Sequence, residues 1–192
     1  MLQSKLKNKN IILASGSPRR QQFLKDLNLN FTIQLKEVEE IYPKHLKGKA
    51  IVKYLAKLKS RPFVNLKEND ILITADTIVW HEGKMLGKPK TEKDAISMIK
   101  SLSGKRHKVY SAVCLKSANK EIVFSDVTKV IFNELSKEEI AYYVKKFKPL
   151  DKAGSYGIQE WIGLIGVKKI KGSYFNVMGF PVHKFYKEIL KF

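Results

Sequence analysis

The residues of this chain with chemistry to offer lie in its loops and at one point inside a strand. Asp76 interrupts Ile71-Leu-Ile-Thr-Ala-Asp-Thr-Ile-Val-Trp80, a run otherwise almost wholly apolar or threonine. An ionised carboxylate placed there is costly unless it meets a metal, a cation or several donors. It is either a functional acid or the early end of the strand, capping a turn; the first reading is preferred because buried acids in apolar strands are uncommon. A second stretch, Leu13-Ala-Ser-Gly-Ser-Pro-Arg-Arg20, joins a short buried strand to an amphipathic helix. Ser17 before Pro18 reads as an N-cap hydroxyl with proline at the first helical position. Arg19 and Arg20 then fall in the first turn, where like charge is unfavourable unless an anion is bound. The choice there is between a polyphosphate site and a strand–turn–helix with solvated arginines. Glu37, Glu39 and Glu40 form a tight acidic cluster, either a solvated loop or oxygen ligands for Mg²⁺ beside a phosphate site. Lys88, fixed in Gly87-Lys88-Pro89, has the reach for a phosphate. The four histidines have no metal-type spacing and no Ser-His-Asp order stands out, which argues against triad chemistry.

Alternating strand-like and helix-like segments position these residues. Ile11–Ala14 reads as a strand, Pro18 to about Asn28 as a helix, Phe31–Leu35 as a strand and Leu46–Lys59 as a helix. Ile71–Trp80 is the strongest strand, followed by a hairpin turn at 81–84. Thr91 with Asp94 opens a helix that Gly104 stops, and Ser136 with Glu139 opens another. Between them, His107–Lys116 and Glu121–Phe132 predict an antiparallel pair around a polar turn. Pro149–Gly157 is a loop, Leu164–Ile170 and Ser173–Val177 read as two strands, and Pro181 starts a C-terminal helix. With no internal repeat or linker, residues 1–192 are expected to form one compact α/β domain.

Composition sets the outer bounds. Thirty-seven Lys+Arg against eighteen Asp+Glu gives a formal charge of +19, which favours anionic partners. The lysines are scattered rather than blocked, so a nucleic-acid surface is not preferred over a nucleotide pocket. One cysteine, Cys114, allows no internal disulfide. Residues 1–10 lack the apolar core of a signal peptide and no run has membrane-spanning length, so a cytoplasmic, soluble protein is expected.

Leu13-Ala-Ser-Gly-Ser-Pro-Arg-Arg20, Ala75-Asp-Thr-Ile-Val79, Gly87-Lys-Pro89, Leu102-Ser-Gly104 with His107 and Val109, and Asp151-Lys-Ala-Gly-Ser-Tyr-Gly-Ile-Gln159 together resemble the Maf family of nucleoside triphosphate pyrophosphatases. The matches run in family order from residue 11 to about 180. The resemblance implies an elongated mixed-sheet α/β fold like that of inosine triphosphate pyrophosphatases, with two lobes around a central cleft. It implies hydrolysis of a nucleoside triphosphate to the monophosphate and pyrophosphate with Mg²⁺ or Mn²⁺, and a homodimer. Arg20, Thr77 and Gln159 match the branch acting on dTTP and UTP. The branch preferring 7-methyl-GTP has tryptophan before the first arginine, where this chain has Pro18. A pattern acting on modified pyrimidine nucleotides overlaps the first.

From the same resemblance, Asp76 is the proton acceptor for the attacking water, and Glu39 or Glu40 joins it in holding the metal. Arg19, Lys59 and Lys88, with the N–H groups from Ser15 to Ser17, take the phosphates. Lys59 matches a family lysine on the helix after the acidic loop. Gln159 offers both donor and acceptor to a uracil or thymine edge. The chain departs from the family at Glu160-Trp161, where a small residue is common; Trp161 either stacks on a base or covers the loop. The competing reading, from a different class, is a non-catalytic nucleic-acid-binding or division-associated basic protein.

Overall fold

A computed structural model describes residues 2–192. Apolar alternation and β-branched content produce seven strands, β1 (Asn10–Leu13), β2 (Phe31–Ile33), β3 (Asp70–His81), β4 (Lys84–Leu86), β5 (Arg106–Lys116), β6 (Glu121–Phe132) and β7 (Val167–Lys171). They form one mixed sheet in the order β2-β1-β3-β5-β6-β7, with β4 on β3. β1 lies parallel to both β2 and β3, whereas β3–β4 and β6–β7 are antiparallel. The helices are α1 (Leu2–Lys5), α2 (Pro18–Asp26), α3 (Lys49–Leu58), α4 (Glu92–Leu102), α5 (Lys137–Phe147), α6 (Trp161–Gly166), α7 (Tyr174–Val177) and α8 (Val182–Ile189). Among the described residues no helix is long and apolar enough to cross a membrane.

The chain divides into two compact units, the first containing residues 2–76, 111–126 and 179–192 and the second residues 77–110 and 127–178. In the first unit the amphipathic α3 buries Ile51, Val52, Leu55 and Ala56. The Thr74 hydroxyl of β3 donates to the Ala56 carbonyl of α3 at 2.5 Å, which fixes helix to strand. Phe180 packs against both Phe23 of α2 and Phe185 of α8, with centroids 6.3 and 5.0 Å away.

The second unit has its own core, in which Val79, Ile99, Leu102, Val109, Phe132, Ile140 and Tyr143 are buried together. Glu82 and Gly83 both take positive φ, 46° and 78°, as a two-residue hairpin between β3 and β4 requires. The capping boxes at Thr91/Asp94 and Ser136/Glu139 are both formed.

Two expectations fail near the C-terminal end. Residues 161–166 are helix α6, so the strand expected from Leu164 begins only at Val167. Tyr174–Val177 is helix α7, because the Ser173 hydroxyl accepts from the Asn176 N–H at 3.3 Å and caps it. Both segments are short apolar runs whose periodicity does not separate helix from strand.

His107 is buried in this second core between Phe132 and Tyr156, ring edges meeting ring faces at 5.1 and 5.4 Å. Its Nε2 lies 2.7 Å from the Tyr156 hydroxyl, and its Nδ1 is buried with no partner among the described residues. Burial, and secondarily the charge of His81, push its pKa down to about 3 from 6.5. The unfolded chain therefore takes up this proton first. The contribution of His107 is full above pH 6.5 and declines as pH falls toward about 3. Urea unfolding across this range should show a loss of up to about 1.4 kcal/mol per pH unit, which His107→Gln removes.

Candidate active site

Within the first unit the Asp76 carboxylate is the centre of a charged constellation. β3 runs unbroken through residue 76 to His81, so Asp76 is not the end of the strand. The residue is only 7% exposed. Lys59, the C-cap residue of α3, brings its ammonium to 2.5 Å from Asp76 Oδ1 and to 2.9 Å from Glu40 Oε1. A lysine at a helix C-terminus is favoured by the helix dipole, and here it also joins two carboxylates. The acidic loop is held by Lys36, which donates to the Pro62 carbonyl at 2.9 Å and lies over the Phe63 ring at 4.9 Å.

Burial raises the Asp76 pKa above the ordinary 3.8, while Lys59 and then Arg20 pull it back. The direction is upward. A buried carboxylate with a raised pKa and a cation at contact distance is suited to accept a proton near neutral pH.

The loop before α2 is organised around Arg20. Its Nη1 donates to Ser15 Oγ at 3.2 Å and to the Ala75 carbonyl at 2.9 Å, and its Nε donates to the Gly179 carbonyl at 3.1 Å. The guanidinium thus ties the loop to the residue before Asp76, and burial lowers its pKa. Ser15 Oγ also accepts from the Ser17 N–H at 3.3 Å. Ser17 occupies the N-cap position, yet its hydroxyl makes no capping bond. The expected hydroxyl cap is not formed; the Ser17 backbone instead bonds to the Ser15 hydroxyl, which Arg20 also holds. The first turn of α2 is left uncapped by Ser17, with Arg19 beside it, which is the arrangement an anion favours. Arg20→Lys keeps the charge but loses the fork; denaturant unfolding should show a loss of about 2 kcal/mol.

Within the second unit, Thr77 lies on β3, half-buried, and Lys88 is exposed just after β4. Gln159 is exposed at the end of the Asp151–Gln159 loop. The Gly154 N–H donates to the Gly87 carbonyl at 3.0 Å, which ties that loop to the one bearing Lys88. Gly154 has φ 69°, and a Cβ there would lie 2.8 Å from Val79 Cγ2, so only glycine lets the loop lie on β3.

The family model described as Maf-like protein matches residues 10–192. The chain belongs to the Maf-like family. It is 57% identical over 188 residues to a protein of Flavobacterium johnsoniae named dTTP/UTP pyrophosphatase, covering 97% of each chain. A relative of the same name in Christiangramia forsetii is 57% identical over 190 residues, covering 98% of this chain and 97% of its own. Another so named, in Bacteroides fragilis, is 50% identical over 181 residues, covering 93% and 94%. Among solved structures, the Staphylococcus aureus Ham1 protein aligns at TM-score 0.49 and 16% identity over 82% of this chain and 91% of that one.

Not every residue of this Maf-like chain stands as its sequence suggests. Glu40, Lys59 and Asp76 come together as a linked row. Glu39 is exposed, and no trio of His, Cys, Asp or Glu lies close enough to hold a metal among the described residues. Of the two alternatives for the acid that joins Asp76, Glu40 is the one that shares the Lys59 ammonium with it. The donor chemistry still fits a hard divalent cation in part. Two carboxylates offer oxygen ligands, and Mg²⁺ is commonly held by one or two carboxylates plus substrate phosphates. Trp161 meets the Tyr142 ring edge-on at 4.9 Å and packs half-buried on the second core.

The sequence reading missed a buried network beneath Gln159. Glu160 accepts from the Tyr143 hydroxyl through Oε2, and its Oε1 lies 3.0 Å from the Lys152 ammonium. Lys152 also pairs with Asp151 at 2.7 Å. The one signal was Glu160 itself, a carboxylate directly after Gln159 at the place where the chain departs from the pattern it resembles.

Proposed function

We propose that this chain hydrolyses dTTP and UTP to the nucleoside monophosphate and pyrophosphate. The observation that carries the reading is Asp76, a buried carboxylate of raised pKa at contact distance from Lys59, beside an uncapped helix N-terminus. Asp76 accepts the proton of the attacking water. Arg19 and the N–H groups of the loop at Ser15–Ser17 take phosphate oxygens, as does Lys88. Lys59 keeps Asp76 ionised and neutralises charge that develops on the phosphoryl group. Arg20 acts through the loop, holding Ser15 and the Ala75 carbonyl in place. Gln159 meets the pyrimidine edge, with Thr77 aiding the choice of base. Glu40 and Asp76 would hold Mg²⁺ or Mn²⁺, which when bound supplies charge neutralisation to the phosphates. The chain works in the cytoplasm as a homodimer in this reading.

The relatives named dTTP/UTP pyrophosphatase support the choice of base. A panel of nucleoside triphosphates including CTP, GTP and 7-methyl-GTP tests it. The expected result is preferential turnover of dTTP and UTP. A preference for 7-methyl-GTP would overturn the assignment of base while keeping the reaction.

A further inference from the structure

The buried network around Glu160 has no place in the reaction as drawn, yet it is built around the residue that presents Gln159. The Glu160 N–H donates to the Gly157 carbonyl at 3.0 Å, closing a turn whose two central residues are Ile158 and Gln159. Ile158 is buried and Gln159 exposed. The Tyr143 hydroxyl donates to Glu160 Oε2 and accepts from the Gly157 N–H at 3.0 Å, so side chain and backbone close the same turn twice. A Cβ on Gly157 would lie 2.7 Å from Glu160 Cδ. A Cβ on Gly163 would fall 1.8 Å from the Ile158 carbonyl oxygen, so the first turn of α6 is pressed against the loop. Lys152, itself buried, brings its ammonium to 3.0 Å from Glu160 Oε1 and so holds the other end of the carboxylate.

We propose that Glu160, locked by Lys152 and Tyr143, is a positioning residue for base selection, fixing the backbone beneath Gln159. The inference rests on Gln159 meeting the pyrimidine edge. The physical need is plain. A carboxamide carries both a donor and an acceptor and serves either a uracil or a cytosine edge by rotating. Discrimination requires that the backbone below it allow a single register against the base. A glycine at position 160 would leave that turn without its side-chain clasp, and with Lys152 buried and short of one of its two carboxylates.

The test compares wild type, Glu160→Gln, Glu160→Ala and Lys152→Met by kcat and KM for UTP and CTP, with calorimetric binding of UMP and CMP as a readout independent of turnover. Glu160→Ala should lower the UTP-to-CTP ratio of kcat/KM by about tenfold, through KM, with kcat for UTP within about twofold. UMP affinity should fall about tenfold and CMP affinity little. Glu160→Gln, which keeps the shape and the Tyr143 contact, should fall between wild type and alanine; Lys152→Met should follow the alanine variant. A merely structural role would change the melting temperature and leave both ratios at the wild-type value, and that result overturns the proposal. Failure of wild type to bind UMP or turn over UTP would instead overturn the reading of Gln159, and the inference with it.

Discussion

Asp76→Asn is expected to lower kcat for dTTP and UTP by about 10³-fold, the loss typical of removing a positioned general base. The same substitution should raise thermal stability at neutral pH. Burial outweighs Lys59 and Arg20 and places the folded carboxyl above its ordinary 3.8. The folded state therefore holds the Asp76 proton more tightly than the unfolded chain. Its contribution is full below pH 3.8 and is lost as pH rises through the raised folded value. At pH 7.5 the ionised group costs stability that asparagine does not, so the variant should melt higher, and the gap should narrow toward pH 4. Melting curves at the two pH values check the sign. A residue that destabilises the fold while it serves the reaction is a common feature of active sites.

The second large effect is expected at Lys59. Its ammonium lies 2.5 Å from Asp76 and 2.9 Å from Glu40, so Lys59→Met leaves two carboxylates without the cation between them. kcat/KM should fall by about 10²-fold or more, as for loss of one electrostatic donor. The pH profile carries the sharper information. Lys59 lowers the pKa of Asp76 by charge and by hydrogen bonding, against the rise due to burial. Without it the carboxyl rises further, and the acid limb of the kcat/KM profile should move to higher pH. A profile that fell uniformly without moving would mean that Lys59 acts on the phosphates alone.

The candidate site was legible where residue type contradicted its surroundings. An aspartate inside an apolar strand and two arginines at a helix start each carry a local cost, and Asp76 and Arg20 proved to be held by partners distant in the chain. Glu39 and Glu40 were not separable, because they lie in a coil without periodicity. Only Glu40 reaches Lys59, in a loop that Lys36 fastens near Phe63. Ser17 looked like a cap because its neighbour is Pro18. The hydroxyl that closes the loop belongs to Ser15, and nothing local distinguishes the two. The fold was legible through its long periodic elements, β3, β5, β6, α4 and α5. It failed at 164–166, which are the end of α6, and at 174–177, where the Ser173 cap overrides a strand-like pattern. Lys152 and Glu160 were hidden as charges in a polar loop, since the pairing that buries Lys152 is a tertiary fact.

Separate quantification of pyrophosphate and orthophosphate from UTP and dTTP, for wild type and Asp76→Asn, tests the central claim most directly. Wild type should release one pyrophosphate for each monophosphate formed, and Asp76→Asn almost none. Orthophosphate as the first product, or pyrophosphate release undiminished in Asp76→Asn, would contradict the account.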